Sequence, residues 1–384
     1  MMYKHAVLFL CAFIATNVYG ATPMADGTYL GTSFSVQADG TVKTWGVQDY
    51  HSPATLQLMP ATVSGLTGVT QVTKQNTFLK NNGTVWTLQT PPFISGGATQ
   101  IGISNVQKIT ASAVHTIALK SDGTVWSWGD NQHGELGTGA ISYSSPTPVQ
   151  TIGLTGIIDI AAGGNSYSNS SFALTNTGTV WAWGGNYYGQ FGNGSTCGEL
   201  FCGVPTPIQV PGLSGVKAIT SGSTHTVVLK NDGTVWVAGD VNGLNFTQVA
   251  GLNNITSIAA GRGSSMALKG DGTVWKFQDS PNPTASMVSG LSDIQSIQIS
   301  DGGSISYAVA RDGTIYDWGS GILGNGTTNG SSNPVVVGVD TSVPTTPSTG
   351  ATTVPALSDL GLAIMGALLM LISFGIQIKK RAVI

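Results

Sequence analysis

Charge is what this chain has least of. Lys, Arg, Asp and Glu make up 9% of its 384 residues, against roughly 25% in an average soluble protein. Positive charge is the scarcer sign: residues 21–354 carry 11 Lys and Arg against 17 Asp and Glu, a net charge of −6. Nucleic acids are bound by basic surfaces that neutralise phosphates, so this balance argues against them as partners. Cysteine is almost absent, with three in all. Cys11 falls inside an apolar run, which leaves Cys197 and Cys202 around the segment Gly198-Glu199-Leu200-Phe201. In an oxidising compartment that pair reads as a disulfide stapling one loop. Signatures of catalysis are missing as well. The chain has no HExxH zinc motif, GxSxG nucleophile elbow or Walker loop, and with 53 glycines a chance Gly-rich match carries no weight.

What the chain has in abundance is one phrase. "SDGTVWSWG", residues 121–129, has six further counterparts, at Asp39-Gly40-Thr41-Val42, Asn82-Gly83-Thr84-Val85, Thr177-Gly178-Thr179-Val180, Asp232-Gly233-Thr234-Val235, Asp271-Gly272-Thr273-Val274 and Asp312-Gly313-Thr314-Ile315. A catalytic site occurs once, so a motif present seven times is architecture. The turn glycines are spaced 43, 40, 55, 55, 39 and 41 residues apart, the length of a four-stranded propeller blade. Period-two alternation flanks each turn, so "HTIALK" and "TVWSW" read as two strands of a hairpin. Runs such as "VQKIT" and "VKAIT" supply an inner strand, and "SPTPVQ" and "VPTPIQ" an outer one, where proline does least harm. The expected fold is therefore all-β, a seven-bladed propeller over residues 27–340. Its first blade is irregular: only Thr28 to Thr32 is available for an inner strand, and Pro334 to Val339 is one candidate for the strand that closes the ring.

All nine tryptophans stand three or five residues after a turn glycine, on one face of a strand. This favours packing between neighbouring blades over stacking on sugars. Of the histidines, His115 and His225 hold one repeat position, but its other copies hold Gln75, Ser170, Ser264 and Ile305. No ring of metal ligands forms, so both read as buried structural residues, while His51 and His133 read as lone loop residues. No cofactor or metal is expected, and no enzymatic activity. A hydrolase or lyase built from carboxylates of separate blades stays as an alternative.

Both ends of the chain point to a membrane. Lys4 and His5 precede the apolar run Ala6 to Ala15, with small residues near Gly20, which predicts a signal peptide over residues 1–20. Residues 341–353 are rich in Thr, Pro and Ser and read as a linker. Leu360 to Ile378 is an uncharged run of 19 residues followed by Lys379-Lys380-Arg381, which predicts a transmembrane helix with a cytoplasmic basic tail. Val354-Pro355-Ala356-Leu357-Ser358-Asp359-Leu360-Gly361, followed by the apolar span and basic cluster of 354–384, resembles the IPTL-type sorting signals of Gram-negative bacteria. The resemblance implies processing by an exosortase-like enzyme and at least transient anchoring in the inner membrane. Val354, Ala356, Asp359 and Leu360 depart from the usual Ile, Thr, Glu and Trp, which leaves a plain stop-transfer anchor open.

Residues 129–137, "GDNQHGELG", and 184–192, "GGNYYGQFG", together with the repeated turn, resemble the repeat of the regulator of chromosome condensation family, whose units form a seven-bladed propeller. His115 and His225 resemble that family's structural histidine. Blades with spacings near 40 lack much of the Gly-rich segment, as in shorter-repeat bacterial relatives. In such a blade the first and third connections emerge opposite the Asp-Gly turns, so variable loops gather on one face. Tyr167, Tyr187, Tyr188, Glu199, Phe201 and Arg262 are the candidate partner-binding residues there. The function read from the chain is an exported cell-envelope or secreted module that binds an extracellular protein or glycan. The alternative to it, beside a propeller hydrolase or lyase, is a secreted enzyme inhibitor of the β-lactamase-inhibitory-protein type.

Overall fold

A computed structural model describes residues 32–338 apart from 38, 50–54, 74, 89–96, 166–167, 199–201, 279, 281 and 300–304. The predicted signal peptide, linker, sorting motif and transmembrane segment lie outside the described residues. Among the described residues no helix is long and apolar enough to cross a membrane. They form seven antiparallel sheets, six of four strands and one of three, arranged as a seven-bladed propeller.

The turn dictates the blade. In blade three, Asp122 Oδ1 accepts hydrogen bonds from the amide (3.0 Å) and hydroxyl (2.6 Å) of Thr124. Gly123 N donates to Lys120 O at 2.9 Å with φ +80°. That is a three-residue hairpin loop ending on a left-handed residue, a place where glycine carries no Cβ penalty. The same double bond is made by Asp39, Asn82, Asp232 and Asp271. The hairpin places the second strand, His115–Lys120, beside the third, Val125–Asp130. The inner strand Val106–Ala111 and the outer strand Ser144–Gln150 complete the sheet. Each inner strand is bulged after its first residue, as between Val106 and Lys108. The bulge explains why "VQKITA" buries its first, fourth and sixth residues rather than alternate ones.

Successive blades are joined in two ways. The first residue of an inner strand donates its N–H to the preceding blade's turn glycine, from Val69 to Gly40, Val106 to Gly83, Ile255 to Gly233 and Ile294 to Gly272. Apolar side chains then fill each gap: Phe172, Leu174 and Val180 of blade four meet Val216, Ile219 and Val228 of blade five. The tryptophans divide into two groups here. Those five residues after the glycine are core: Trp45 and Trp183 are fully buried, and Trp128 and Trp318 nearly so. Those three residues after it, Trp86, Trp126, Trp181, Trp236 and Trp275, are only half-buried. Four of these indoles donate Nε1 to the turn threonine and lie beneath a lysine ammonium, 4.1 Å away at Trp236 and Trp275. Every tryptophan packs at a gap between blades, but to two depths: the nearer ring is a lid on the gap, and the farther one fills it.

Blade one has three strands among the described residues, Thr32–Val36, Val42–Asp49 and Thr55–Thr62. Thr32 begins the strand before the Asp39-Gly40 turn, which is the second-strand position. Pro334 does not close the ring, because Ser331–Val336 pairs with Ile315–Gly319 as the outer strand of blade seven. Closure comes from side chains and from a backbone bond, Gly326 N to Leu58 O at 3.1 Å. Trp45 packs with Ile305, Tyr307 and Leu323, and Ser33 Oγ meets Tyr307 OH at 2.8 Å.

At this seam Asp317 is completely buried, and burial pushes its carboxyl well above the usual range. The Trp45 indole faces it and offsets part of that cost, yet neither the carboxyl oxygens nor Trp45 Nε1 completes a hydrogen bond.

Trp183→Ala should cost about 3–5 kcal/mol of stability, as for a large ring removed from a core. Trp126→Ala should cost about 1–2 kcal/mol, because its outer face meets only a lysine and solvent. Equal losses in equilibrium unfolding would contradict the division. The acids predict a pH dependence of two signs. Asp317, raised in the folded state, costs nothing below its ordinary value of 3.8 and destabilises increasingly as pH rises above it. Asp317→Asn should therefore stabilise the protein at pH 7 by about 1–3 kcal/mol and leave it unchanged near pH 3. The turn acids Asp122 and Asp232, held below the usual range by their threonine hydroxyls, contribute stability at neutral pH that is lost as pH falls through their lowered values. Denaturant titrations of wild type and variant between pH 3 and 8 separate the two effects.

Candidate functional site

The two longest repeats fold their Gly-rich segments in the same way. Asn131 Oδ1 accepts the Leu136 N–H at 3.0 Å, and its Nδ2 donates to Ala140 O and Ser142 Oγ. Asn186 does the same with Phe191 N and Ser195 O. Each asparagine is a hub that turns the chain back, so that Leu136 or Phe191 plugs the blade beneath. Tyr187 and Tyr188 ride on this plug, half-buried, with ring centroids 5.0 Å apart and edge to face.

Neighbouring loops are then tied together. Gly139 N donates to Pro205 O, and a Cβ at Gly203 would collide with the His133 carbonyl. The return loop of blade four therefore lies directly on the Gly-rich segment of blade three. Cys197 and Cys202 are bridged in that return loop, with Cα atoms 5.8 Å apart. Onward, Asp240 N donates to Tyr188 O at 2.7 Å, and Gly194 N to Leu244 O at 2.8 Å. The loops of blades three, four and five thus form one continuous belt.

A buried polar chain holds the belt down. His133, expected as a lone loop residue, is buried beside Glu135, whose carboxylate accepts the His133 backbone N–H at 2.7 Å and lies 3.2 Å from His133 Nδ1. Burial pushes the Glu135 carboxyl up, but the bonds from His133 and the charge of His115 outweigh it and hold the group below its ordinary value. The Glu135 carbonyl receives both Trp183 Nε1 and Ser171 Oγ at 2.8 Å. His115 bridges Ser112 and Ser171, and His225 reaches Ser265 of blade six at 2.7 Å. Both histidines are ties between blades.

Of the six predicted binding residues, Tyr187 and Tyr188 lie in the belt. Arg262 is exposed on the first loop of blade six, with no ion pair among the described residues. Tyr167, Glu199 and Phe201 fall outside the described residues. The predicted binding residues omit Tyr143, at 80% exposure the most exposed aromatic of the belt among the described residues, along with Ile141 and Leu244. They also omit the charged pair of the central channel, a cavity of about 360 Å³ lined by the inner strands of blades two to seven. Lys108 there pairs with Asp159 of the next blade. The signal was available: both stand third in their inner strands, where Ala218, Ser257 and Ser296 are small. Among the described residues no three His, Cys, Asp or Glu side chains gather where they could hold a metal.

The Regulator of chromosome condensation (RCC1) repeat matches residues 122–167 and 177–229, and a second model of the same repeat matches 106–135, 157–190 and 216–244. Protein pim1 of Schizosaccharomyces pombe is 30% identical over 269 residues, covering 59% of this chain and 48% of its own. The human E3 ubiquitin-protein ligase HERC2 is 40% identical over 129 residues, 33% of this chain but 2% of the ligase. The chain therefore spans about half the length of the first and a small fraction of the second. In fold, yeast RCC1 (Prp20), solved with Kap60, superposes over 88% of this chain and 89% of its own, with a TM-score of 0.65 and 18% identity. In its repeats and in its propeller, this chain resembles the regulator of chromosome condensation (RCC1) repeat family.

Proposed function

We propose that this protein is an exported interaction module of the cell envelope, which binds a protein through the belt of loops on blades three to five. The observation that carries the reading is the belt itself. Three loops are cross-bonded into a rigid surface, yet they hold Tyr143, Ile141 and Leu244 out to solvent. Rigid presentation of aromatic and aliphatic groups lowers the entropy cost of binding and suits a protein partner. One solved relative, yeast RCC1 (Prp20), is named both for its complex with Kap60 and for its binding of Gsp1p and histones. In that relative the propeller serves as a protein-binding scaffold, which supports the same reading here. A sugar stacked on the turn-end indoles is disfavoured, because lysine ammonium groups lie over four of them.

Export is supported by the sequence of residues 1–20 and by the bridge between Cys197 and Cys202, a bond that persists outside the cytosol. The proposal extends to the C-terminal segment, with Val354 to Gly361 as a processing signal and Leu360 to Ile378 as at least a transient anchor.

Two measurements test the reading. The intact mass of the protein taken from its host should show residues 1–20 removed; an exported form that retains Met1 contradicts the signal peptide. For binding, Tyr187→Ala and Leu244→Ala should each weaken capture of the cognate protein by at least about thirtyfold, or ~2 kcal/mol for a true anchor. Asn231→Ser, at the opposite turn end, should leave it unchanged. The reverse pattern would assign binding to the turn face.

A further inference from the structure

Next to the belt, blade three carries an open groove of about 300 Å³ walled by Val114, Asp130, Gln132, Tyr143 and Pro146. Asp130 ends the third strand, opposite Ser144. Its Oδ1 accepts the backbone N–H of Asn131 at 2.8 Å and of Gln132 at 3.3 Å, and its Oδ2 accepts Gln132 Nε2 at 3.1 Å. These bonds orient the carboxylate without neutralising it, because every donor is uncharged. Among the described residues no Lys or Arg pairs with Asp130. Tyr143, at 80% exposure, presents its ring on the same groove, and Val114 and Pro146 add apolar wall.

We infer that this groove receives an arginine side chain of the partner protein, the guanidinium stacking on Tyr143 and pairing with Asp130 while its methylene stem lies on Val114 and Pro146. The inference rests on the loop-face reading above and names the chemistry the partner brings to it. A planar, weakly hydrated cation suits a flat ring beside a fixed carboxylate better than a compact ammonium does. The charge layout agrees. Lys80, Lys120, Lys230 and Lys269 are held over indoles at the turn end, Lys108 is paired in the channel and Arg311 is paired with Asp293. The partner supplies the cation that this end of the blade does not. The combination is also not part of the repeated architecture. Gly185 stands in the place of Asp130 in blade four. Asp240 stands there in blade five, but its Oδ2 takes up the Thr224 hydroxyl at 3.1 Å, and the connection 239–246 has no tyrosine.

The test uses the full chain and fluorescent hexa-arginine, hexa-lysine and hexa-glutamate peptides, read by anisotropy at low and physiological salt. Asp130→Asn keeps Oδ1 as an acceptor, and Tyr143 is too exposed to matter for folding. Each of Asp130→Asn and Tyr143→Ala should weaken hexa-arginine binding about tenfold, the loss of one charge-assisted pair or one cation–π contact. Tyr143→Phe and the turn-end control Asp232→Asn should stay within about twofold, and hexa-lysine should bind several-fold more weakly than hexa-arginine. Equal losses for Asp130→Asn and Asp232→Asn would reduce the effect to general attraction by an acidic body and overturn the inference. So would hexa-arginine binding that none of the variants changes. A chain that captures its partner through Tyr187 and Leu244 but ignores hexa-arginine overturns the arginine assignment alone; capture lost only through turn-end variants overturns the loop-face reading.

Discussion

The propeller depends on one small cluster: a side-chain oxygen that accepts two bonds from the threonine two residues ahead. At Asp122 those bonds fix the hairpin, and at other turns the glycine carbonyl is left pointing at the next blade, where the first inner-strand N–H meets it. The threonine hydroxyl, once its proton is given to the acid, accepts the indole N–H of the tryptophan that lids the gap. The lysine before the turn then covers the indole. Carboxylate, hydroxyl, indole and ammonium thus form one chain, and with the glycine carbonyl it sets hairpin geometry, blade spacing and the polarity of one face together. A substitution in it acts on two blades at once, as expected where stability is a sum of units and nearest-neighbour interfaces.

The same cluster explains why binding is assigned to the other face. At the turn end the polar groups largely satisfy one another, and little recognition chemistry remains unspent. At the loop end the repeats diverge, because the hairpin does not constrain the first and third connections. The longest two found a common solution in the asparagine hub, which converts a Gly-rich segment into a plugged, rigid loop. Glycine serves there both for turning, as at Gly134 and Gly189 with φ +77° and +71°, and for close approach, and in the return loop the contact of Gly203 with the His133 carbonyl lets two blades share one surface.

Much of this was legible in the sequence. Seven turns, their spacing, the alternation around them and the placing of the tryptophans follow from local chemistry that each repeat spells out separately. The Cys197 and Cys202 pair was legible because five residues of separation leave few alternatives. The illegible features are those in which residues far apart in the chain meet. His133 looked solitary because its buried partner, Glu135, belongs to a segment whose fold depends on Asn131. The ion pair of Lys108 with Asp159 spans 51 positions and needs the inner-strand bulge to aim both side chains at the channel. The half-burial of Trp126 could not be told from the near-complete burial of Trp128 by period alone, since residues two apart share a face and both pack at the gap between blades two and three; the lysine and solvent over the outer side of Trp126 separate them. Tyr143 was visible as a loop aromatic, but its exposure depends on the return of the chain through Ser142 to the asparagine hub.

The ring seam shows what happens where the pattern runs short. At the junction of blades three and four, Trp183 Nε1 is answered by the Glu135 carbonyl at 2.8 Å, and Gly137 lets the ring approach. At the junction of blades seven and one, Trp45 stands in the same position against Gly324, but the segment before that glycine is shorter and its carbonyl does not reach. The indole faces a buried carboxyl instead, and both groups are left without a bond. Unsatisfied polar groups in a closed core raise the energy of that junction. Local opening is therefore expected to begin between blades seven and one. The belt lies across the ring, on the arc of blades three to five, where buried histidines, asparagine hubs and a disulfide tie the loops together. The surface suited to rigid recognition is thus carried on blades other than the two that close the ring.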